Sequence, residues 1–321
     1  MKRLIFTLSP KTAFATPLAG DTLFGQCCWA IRHLHGESKL TELLTGYMEN
    51  KPFMVLSDVM PQGFLPRPNL PASLLGFEND ATARKAQKAK KWLPLHILSQ
   101  PLNEWASSAC TEEEMLSAMN LSGRYLIDDK AQDHNSLNRL TGTTGGDQGF
   151  APFARETFWY HPDIHLSLII ELDTTRLSVD ELLEVFAWVG LHGYGKEASC
   201  GLGKFTISLD EHLVLLPTPP NANAWLTLAP CAPQNLSWHP ARCFYQILTR
   251  FGRHGDIAVH KAGGVFKNPV LMAAAGAVLT PKEADISQGF TGQGITGVSK
   301  TIAATVHQGY APVYPIHLEM K

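Results

Sequence analysis

Residues 164–172, IHLSLIIEL, set Ile164, Leu166, Leu168, Ile170 and Leu172 on alternate positions, with His165, Ser167, Ile169 and Glu171 between them. That period of two predicts a strand with one face on a core. RLIFTL (3–8) reads as a buried strand and FMVL (53–56) as a short one. Leu23, Phe24, Cys27, Cys28, Ile31 and Leu34 recur at helical spacing, which predicts a helix capped by Asp21 or Thr22 and running to about Leu34. Ser178 and Glu181 make a capping box that opens a second helix, with Val179, Leu182, Leu183, Phe186 and Val189 on its apolar side. Phe205, Ile207 and Leu209 then alternate as a strand. Strand, helix, strand, insertion, strand, helix, strand is the β-α-β-β-α-β order of a ferredoxin-like unit, the fold class being α+β. RNA-recognition domains use the same unit and leave one sheet face free for a ligand.

The remaining stretches are read by their punctuation. PQGFLPRPNLP (61–71) carries too much proline for regular structure and predicts a loop. Arg84, Lys85, Lys88, Lys90 and Lys91 read as a solvated helix face or a mobile insertion. Residues 103–155 are polar and glycine-rich, so an insertion over 78–160 is expected inside an N-terminal domain of residues 1–216. The proline-rich stretch 217–240 predicts a linker. Strands are expected at about 242–249, 269–279 and 313–319, within a C-terminal domain of residues 241–321. That domain would be a second, degenerate unit of the same kind, although no clear sequence repeat marks it.

The composition of 45% hydrophobic and 17% charged residues is that of a soluble globular protein with a sizeable core. Formal net charge is −2, so a nucleic-acid surface would be a local stripe. Six cysteines without a C-x-x-C pair fit free thiols in a reducing compartment. The opening MKRLIFTLSPK breaks too early for a signal segment, and no apolar run approaches membrane length. A cytoplasmic protein without membrane contact is expected. The histidines form no H-E-x-x-H motif or paired Cys/His set, so neither a metal site nor a cofactor is expected.

Glycine density peaks in GLHGYGKEASCGLGKF (190–205). Gly190 to Lys196 spells G-x-x-x-x-G-K, but Glu197 stands where a magnesium-binding Ser or Thr belongs, and the run follows a helix rather than a strand. A dinucleotide fingerprint fails for the same lack of context. A helix C-cap and tight turn would account for Gly193 or Gly195, though not for Gly201, Gly203 and the flanking Lys196 and Lys204.

Gly193-Tyr194-Gly195-Lys196, Ser199, Gly201, Gly203 and Phe205 fill the pattern G-x-G-K-x-x-S-x-G-x-G-x-F. This resembles the signature loop of the RAMP superfamily of CRISPR-associated proteins. GDTLFGQCCWAI (20–31), the SD-x-x-P-x-G-F-L-P-R-P run (57–68), RHGDIAVHKAGGVFKNPVLMAAAGAV (253–278) and HQGYAPVYPIHL (307–318) are similar to the superfamily's Cas-five group, in the branch that serves type III-A Csm effector complexes. GFTGQGITG (289–297) adds a second glycine-rich match. The resemblance implies two RAMP units and a non-catalytic subunit that binds the 5′ handle of a CRISPR RNA. It also implies neighbours of the large Cas-ten type and of the Cas-seven backbone type. A β-hairpin thumb in the first unit, around HNSLNRLTGTTGG (134–146) and FAPFARETFWY (150–160), would part guide from target RNA near the handle.

Single-stranded RNA needs cations and amides for phosphates, polar groups for base edges and flat groups for stacking. The loop offers the first. Asn135, Asn138, Arg139, Thr141 and Thr143 offer the second, while Tyr194, Phe150 and Phe153 offer the third. Arg253, His254 and Lys267 join the RNA-binding set by resemblance, and Leu140, Phe150 and Phe153 are the candidate wedges. Phe150 and Phe153 equally fit plain hairpin packing. The alternative is a metal-independent RAMP endoribonuclease that processes CRISPR RNA, with His134 or His192 as general acid or base.

Overall fold

The computed structural model describes residues 1–77, 82–144, 151–211, 218–234, 236–283 and 285–319. In chain order come β1 (Lys2–Pro10), α1 (Gly20–Leu44), β2 (Met54–Leu56), β3 (Met60–Pro61), β4 (Phe64–Pro66), α2 (Arg84–Ala89) and β5 (Trp92–Pro94). Next are α3 (Trp105–Ser108), α4 (Glu112–Ala118), β6 (Ile127–His134), β7 (Phe153–Tyr160), β8 (Leu166–Leu172), α5 (Val179–His192) and β9 (Phe205–Leu209). Then follow β10 (Ala224–Thr227), β11 (Ile247–Arg250), β12 (Val270–Ala273), β13 (Val278–Leu279), β14 (Phe290–Ile295) and β15 (His307–Ile316).

The first sheet runs β2-β8-β1-β9, every pair antiparallel, with β3 also on β8. Leu4, Phe6 and Leu8 of β1 and Leu168 and Ile170 of β8 pack with α1 and α5. On α5 the capping box forms as the sequence predicts. It turns Leu182, Val185, Phe186 and Val189 inward, each burial being worth about 1.5–3 kcal/mol relative to exposure for residues of that size. α1 outruns its expected end by ten residues, through a break at Gly36 (φ 89°, ψ 166°). Its N-cap is Ala19, not Asp21 or Thr22; the Gly20 amide donates instead to Asp58 Oδ1 at 2.8 Å.

The sheet's other face is covered too, so β8 is buried at all seven positions rather than on alternate ones. Ile5 and Ile169 enter a second core with Leu226, Tyr314 and Ile316. Glu171, buried on that face, takes the guanidinium of Arg3, which also donates to the Gly289 and Val313 carbonyls at 2.7 and 2.8 Å. A buried carboxylate is tolerable only with such a partner.

The second sheet runs β13-β10-β15-β14, also antiparallel. Among the described residues no α-helix follows α5, and this strand order differs from the first sheet's. The expected linker gives way here. Ala224–Thr227 is an inner strand with Ala224 and Trp225 fully buried, because the prolines stand outside the apolar run. Of the expected C-terminal strands, 242–249 forms only as β11, 269–279 divides into β12 and β13, and 313–319 is the end of a strand that begins at His307.

The insertion is also narrower than expected. Leu93, Ile97, Leu98, Leu102 and Trp105 fill the second core, and Met115, Leu116 and Leu126 the first. Within the expected loop 61–71, Phe64–Pro66 pairs with Trp92–Pro94, its prolines falling at strand ends. α2 buries no side chain, as a solvated basic face should. What projects is the β6–β7 hairpin, whose strands pair with each other and belong to neither sheet.

Candidate nucleic-acid interface

The segment from Gly190 to Phe205 turns α5 into β9, and its glycines mostly face protein. A Cβ on Gly190, Gly193 or Gly203 would overlap the carbonyl oxygen of Phe205, Leu202 or Tyr194, and one on Gly195 would overlap Thr16. Gly201 (φ 90°) alone of the loop's positive-φ glycines has open space around its Cβ position. Several amides are committed as well: Gly203 to the Ala13 carbonyl at 2.7 Å, Lys196 and Lys204 to the hydroxyls of Thr16 and Thr12, both at 2.9 Å. Glycine density here records chain lying on chain. What the loop turns outward is Lys196 and Ser199, with Gly201 and Lys204 half-buried beside them.

Tyr194 is not the stacking group expected. It is fully buried; its hydroxyl donates to the Pro17 carbonyl at 2.7 Å and accepts from the Ala19 amide at 3.2 Å. Burial pushes its pKa up. No base can reach a ring that forms part of the core.

Phe14 sits where three segments meet. Its backbone bridges Phe158, its ring lies 6.1 Å from that of Phe158 and 5.4 Å edge-on from Tyr160, and Tyr194 packs at 6.4 Å. The hairpin base is thereby docked beside the glycine loop. An ion pair spans the same junction, Arg155 Nη2 to Glu197 Oε2 at 3.4 Å. Register runs from Ile127 opposite Tyr160 to His134 opposite Phe153. Beyond it, Gly142 donates to Asn138 and Asn138 to Thr143, at 2.8 and 3.0 Å, which folds a tight tip. Leu140 stands 96% exposed there, with Asn135, Arg139, Thr141 and Thr143 exposed around it and Asn138 half-buried. Phe153 is half exposed and stacks on His134 with centroids 5.4 Å apart. Phe150 lies outside the described residues.

The second basic group divides. Arg253 is exposed, its guanidinium 5.9 Å over the Phe266 ring. His254 is only 5% exposed and bonded to the Ser299 hydroxyl at 2.7 Å, so it is a core group rather than a surface RNA ligand. Lys267 is half-buried, and burial lowers its pKa against the pull of Cys28 and Asp21. This segment closes over α1 through His33 with Asp256 and through Arg250, which grips the buried Asp21 at 2.7 and 3.2 Å. Burial alone would raise Asp21, but His307 and Arg250 together hold it below the usual carboxylate range.

His192 Nδ1 bonds the Trp188 carbonyl at 2.8 Å and its ring stacks on that of Trp188 at 4.0 Å. Among the described residues no cluster of His, Cys, Asp or Glu could hold a metal ion, and no helix is long and apolar enough to cross a membrane. All six cysteines are free.

No family model and no curated protein sequence matches the chain. Solved structures do. A chain of a Csm1–Csm4 cassette in complex with pppApA superposes with TM-score 0.61 at 14% identity, covering 100% of both chains. A chain of a Csm3–Csm4 subcomplex of the type III-A CRISPR-Cas interference complex gives 0.62 at 13%, covering 98% of this chain and 99% of that one. A Csm1–Csm4 cassette with cA4 gives 0.59 at 15%, again covering 100% of both chains. The chain has the fold of a Csm-complex subunit. The likeness runs through both sheets, so the helix-poor C-terminal half belongs to that fold as much as the first half does.

Sequence reasoning missed Arg155, which sits among aromatic residues in a strand where no pattern marks it as a ligand. Only the cross-strand register, placing it opposite Gln132 and toward Glu197, brings it to the junction.

Proposed function

We propose that the chain is a non-catalytic, cytoplasmic subunit of a type III-A CRISPR effector complex that binds and caps the 5′ handle of the guide RNA. The observation that carries this is the end-to-end likeness to chains of both a Csm1–Csm4 and a Csm3–Csm4 assembly, whose common component is Csm4. The companions in those assemblies support a large Cas-ten-type partner and a Cas-seven-type backbone partner. The first sheet supports a ferredoxin-like unit, because β2-β8-β1-β9 is the order 2-3-1-4 of a β-α-β-β-α-β chain. The helix-poor second sheet is its degenerate companion.

In this reading the β6–β7 hairpin is the thumb. Its tip offers Leu140 as the wedge beside the polar groups of Asn135, Arg139, Thr141 and Thr143, near where target RNA would pair. The glycine loop contributes the side chains of Lys196, Ser199 and Lys204, with Gly201 the place where backbone and phosphate approach, and Arg253 adds a second cation. Phosphate charge and base stacking supply affinity in such sites without catalysis. The test is co-expression with a repeat-containing RNA and candidate Cas-ten-type and Cas-seven-type subunits. Co-purification of all components with an intact handle is expected. Isolation of the chain without RNA or partners, or cleavage of the RNA by the chain alone, refutes the reading.

A further inference from the structure

The Arg155–Glu197 contact is poorly made for an ion pair. Nη2 approaches Oε2 at 3.4 Å, while the neighbouring Nε–H is buried and has no acceptor. An Arg presents Nε and Nη2 as a fork for two oxygens, and leaving one buried tooth unfilled is costly. Glu197 is itself held awkwardly, on a left-handed backbone (φ 62°) that its carbonyl helps fix by accepting from Cys200 and Leu202 at 2.9 and 3.4 Å. On the same hairpin face, diagonal to Arg155, His134 also has a buried Nε2 without a partner. Lys196 stands exposed next to Glu197. The hairpin face and the adjoining loop thus carry three nitrogen groups suited to an anion, and the one carboxylate that engages Arg155 also accepts from the Cys200 thiol, through the same Oε2 at 3.5 Å.

We propose that Arg155 is a phosphate ligand of the RNA, masked in the free protein by Glu197. A backbone phosphate displaces the carboxylate and fills both Nε and Nη2, with His134 Nε2 as a further contact. Arg155 keeps about a quarter of its side chain exposed, as does Glu197, so the exchange needs no unfolding. This inference rests on the RNA-binding reading above and adds a residue and a mode of gating to it.

The test is a titration of the full-length chain with a labelled single-stranded RNA of the CRISPR repeat sequence, at several salt concentrations. Arg155→Ala is expected to weaken binding about 10- to 100-fold, the range for one charge-assisted contact. It should also lower the salt slope by about 0.7, the value for one phosphate of a single strand. Glu197→Gln is expected to tighten binding, and that gain should vanish in the Arg155→Ala background. Arg155→Lys, which retains the charge and loses the fork, should fall between wild type and alanine with an unchanged slope. A merely structural ion pair predicts that Arg155→Ala and Glu197→Gln change affinity in the same direction. That result overturns the proposal, as does a Glu197→Gln gain that persists without Arg155. RNA binding by the wild type with Arg155→Ala unchanged removes this inference alone. No RNA binding by the wild type removes the underlying reading with it. Far-UV circular dichroism and a thermal melt on each variant keep loss of fold separate from loss of contact.

Discussion

Gly203 and Gly201 share a backbone conformation and differ in what surrounds them, which makes them a controlled pair. Their φ values are +73° and +90°. Alanine at either position meets the left-handed penalty of about 1–2 kcal/mol. At Gly201 nothing lies within 4 Å of the added carbon. At Gly203 the Cβ would stand 2.6 Å from the Tyr194 amide nitrogen and closer still to its carbonyl oxygen. Those are backbone atoms and cannot swing away. Moving them strains the Tyr194 amide's bond to the Gly203 carbonyl at 2.9 Å and the tyrosine hydroxyl's bond to Pro17. Overpacking of that kind costs about 1–3 kcal/mol more. Gly201→Ala should therefore lose about 1–2 kcal/mol and Gly203→Ala about 2–5 kcal/mol. Urea denaturation followed by tryptophan fluorescence reads the difference. Equal midpoints and slopes for the two variants would refute the claim that Gly203 is there for protein packing. The RNA titration supplies the converse: folded Gly201→Val should bind RNA less well than wild type, since its site is the one the chain leaves open.

Three further outcomes are expected. Lys196→Ala should melt like wild type and lower the salt slope of RNA binding by about 0.7; an unchanged slope removes Lys196 from the interface. Replacing 136–152 by a short Gly-Ser turn should leave a soluble, folded protein, because Phe158 and Tyr160 keep their places on Phe14; an aggregating product would show that the tip supports the core. Burial raises the Asp58 carboxyl from an ordinary 3.8 to about 7, against the Gly20 amide bond that favours the anion. A raised folded-state pKa means that the folded form holds the proton more tightly, so this stability is complete below about pH 4 and is lost as pH rises through 7. Asp58→Asn should flatten that part of the pH–stability curve while its amide oxygen still accepts from Gly20. A curve with the wild-type slope contradicts the assignment.

Where local pattern matched local cause, the sequence was legible. The Ser178–Glu181 box and the alternation in Phe205–Leu209 were both found at their places. β8 was found too, but its second buried face was not. Ser167 and Glu171 look solvent-facing in sequence, and only Arg3, brought in from β1, makes the burial of Glu171 tolerable. Trp105 and Leu98 were missed because short elements with one or two anchors carry no period. β10 was hidden by the prolines that flank it. At the candidate site, glycine spacing does not say whether the backbone meets RNA or its own chain, and most of the loop's glycines meet their own chain. Tyr194 and His254 show the same gap, since aromatic and imidazole groups read alike in sequence whether they face solvent or a core.

β15 makes the last consequence temporal. Its Gln308 side chain accepts from the Leu56 amide at 3.0 Å and donates to the Leu56 carbonyl at 2.8 Å, and the Tyr310 hydroxyl donates to the Tyr47 carbonyl at 2.6 Å. These contacts join positions more than 250 residues apart. A ribosome translating the chain will have released all of β1 through β9 before the strand that satisfies Leu56 exists. Until then the face of the first sheet that carries Ile5, Ile169 and Glu171 has only the part of its cover that residues 60–109 supply. Contacts of such long range are formed late and slowly. The nascent first half therefore exposes apolar surface of the kind chaperones hold, and its second core is completed only when the strands of the second sheet arrive.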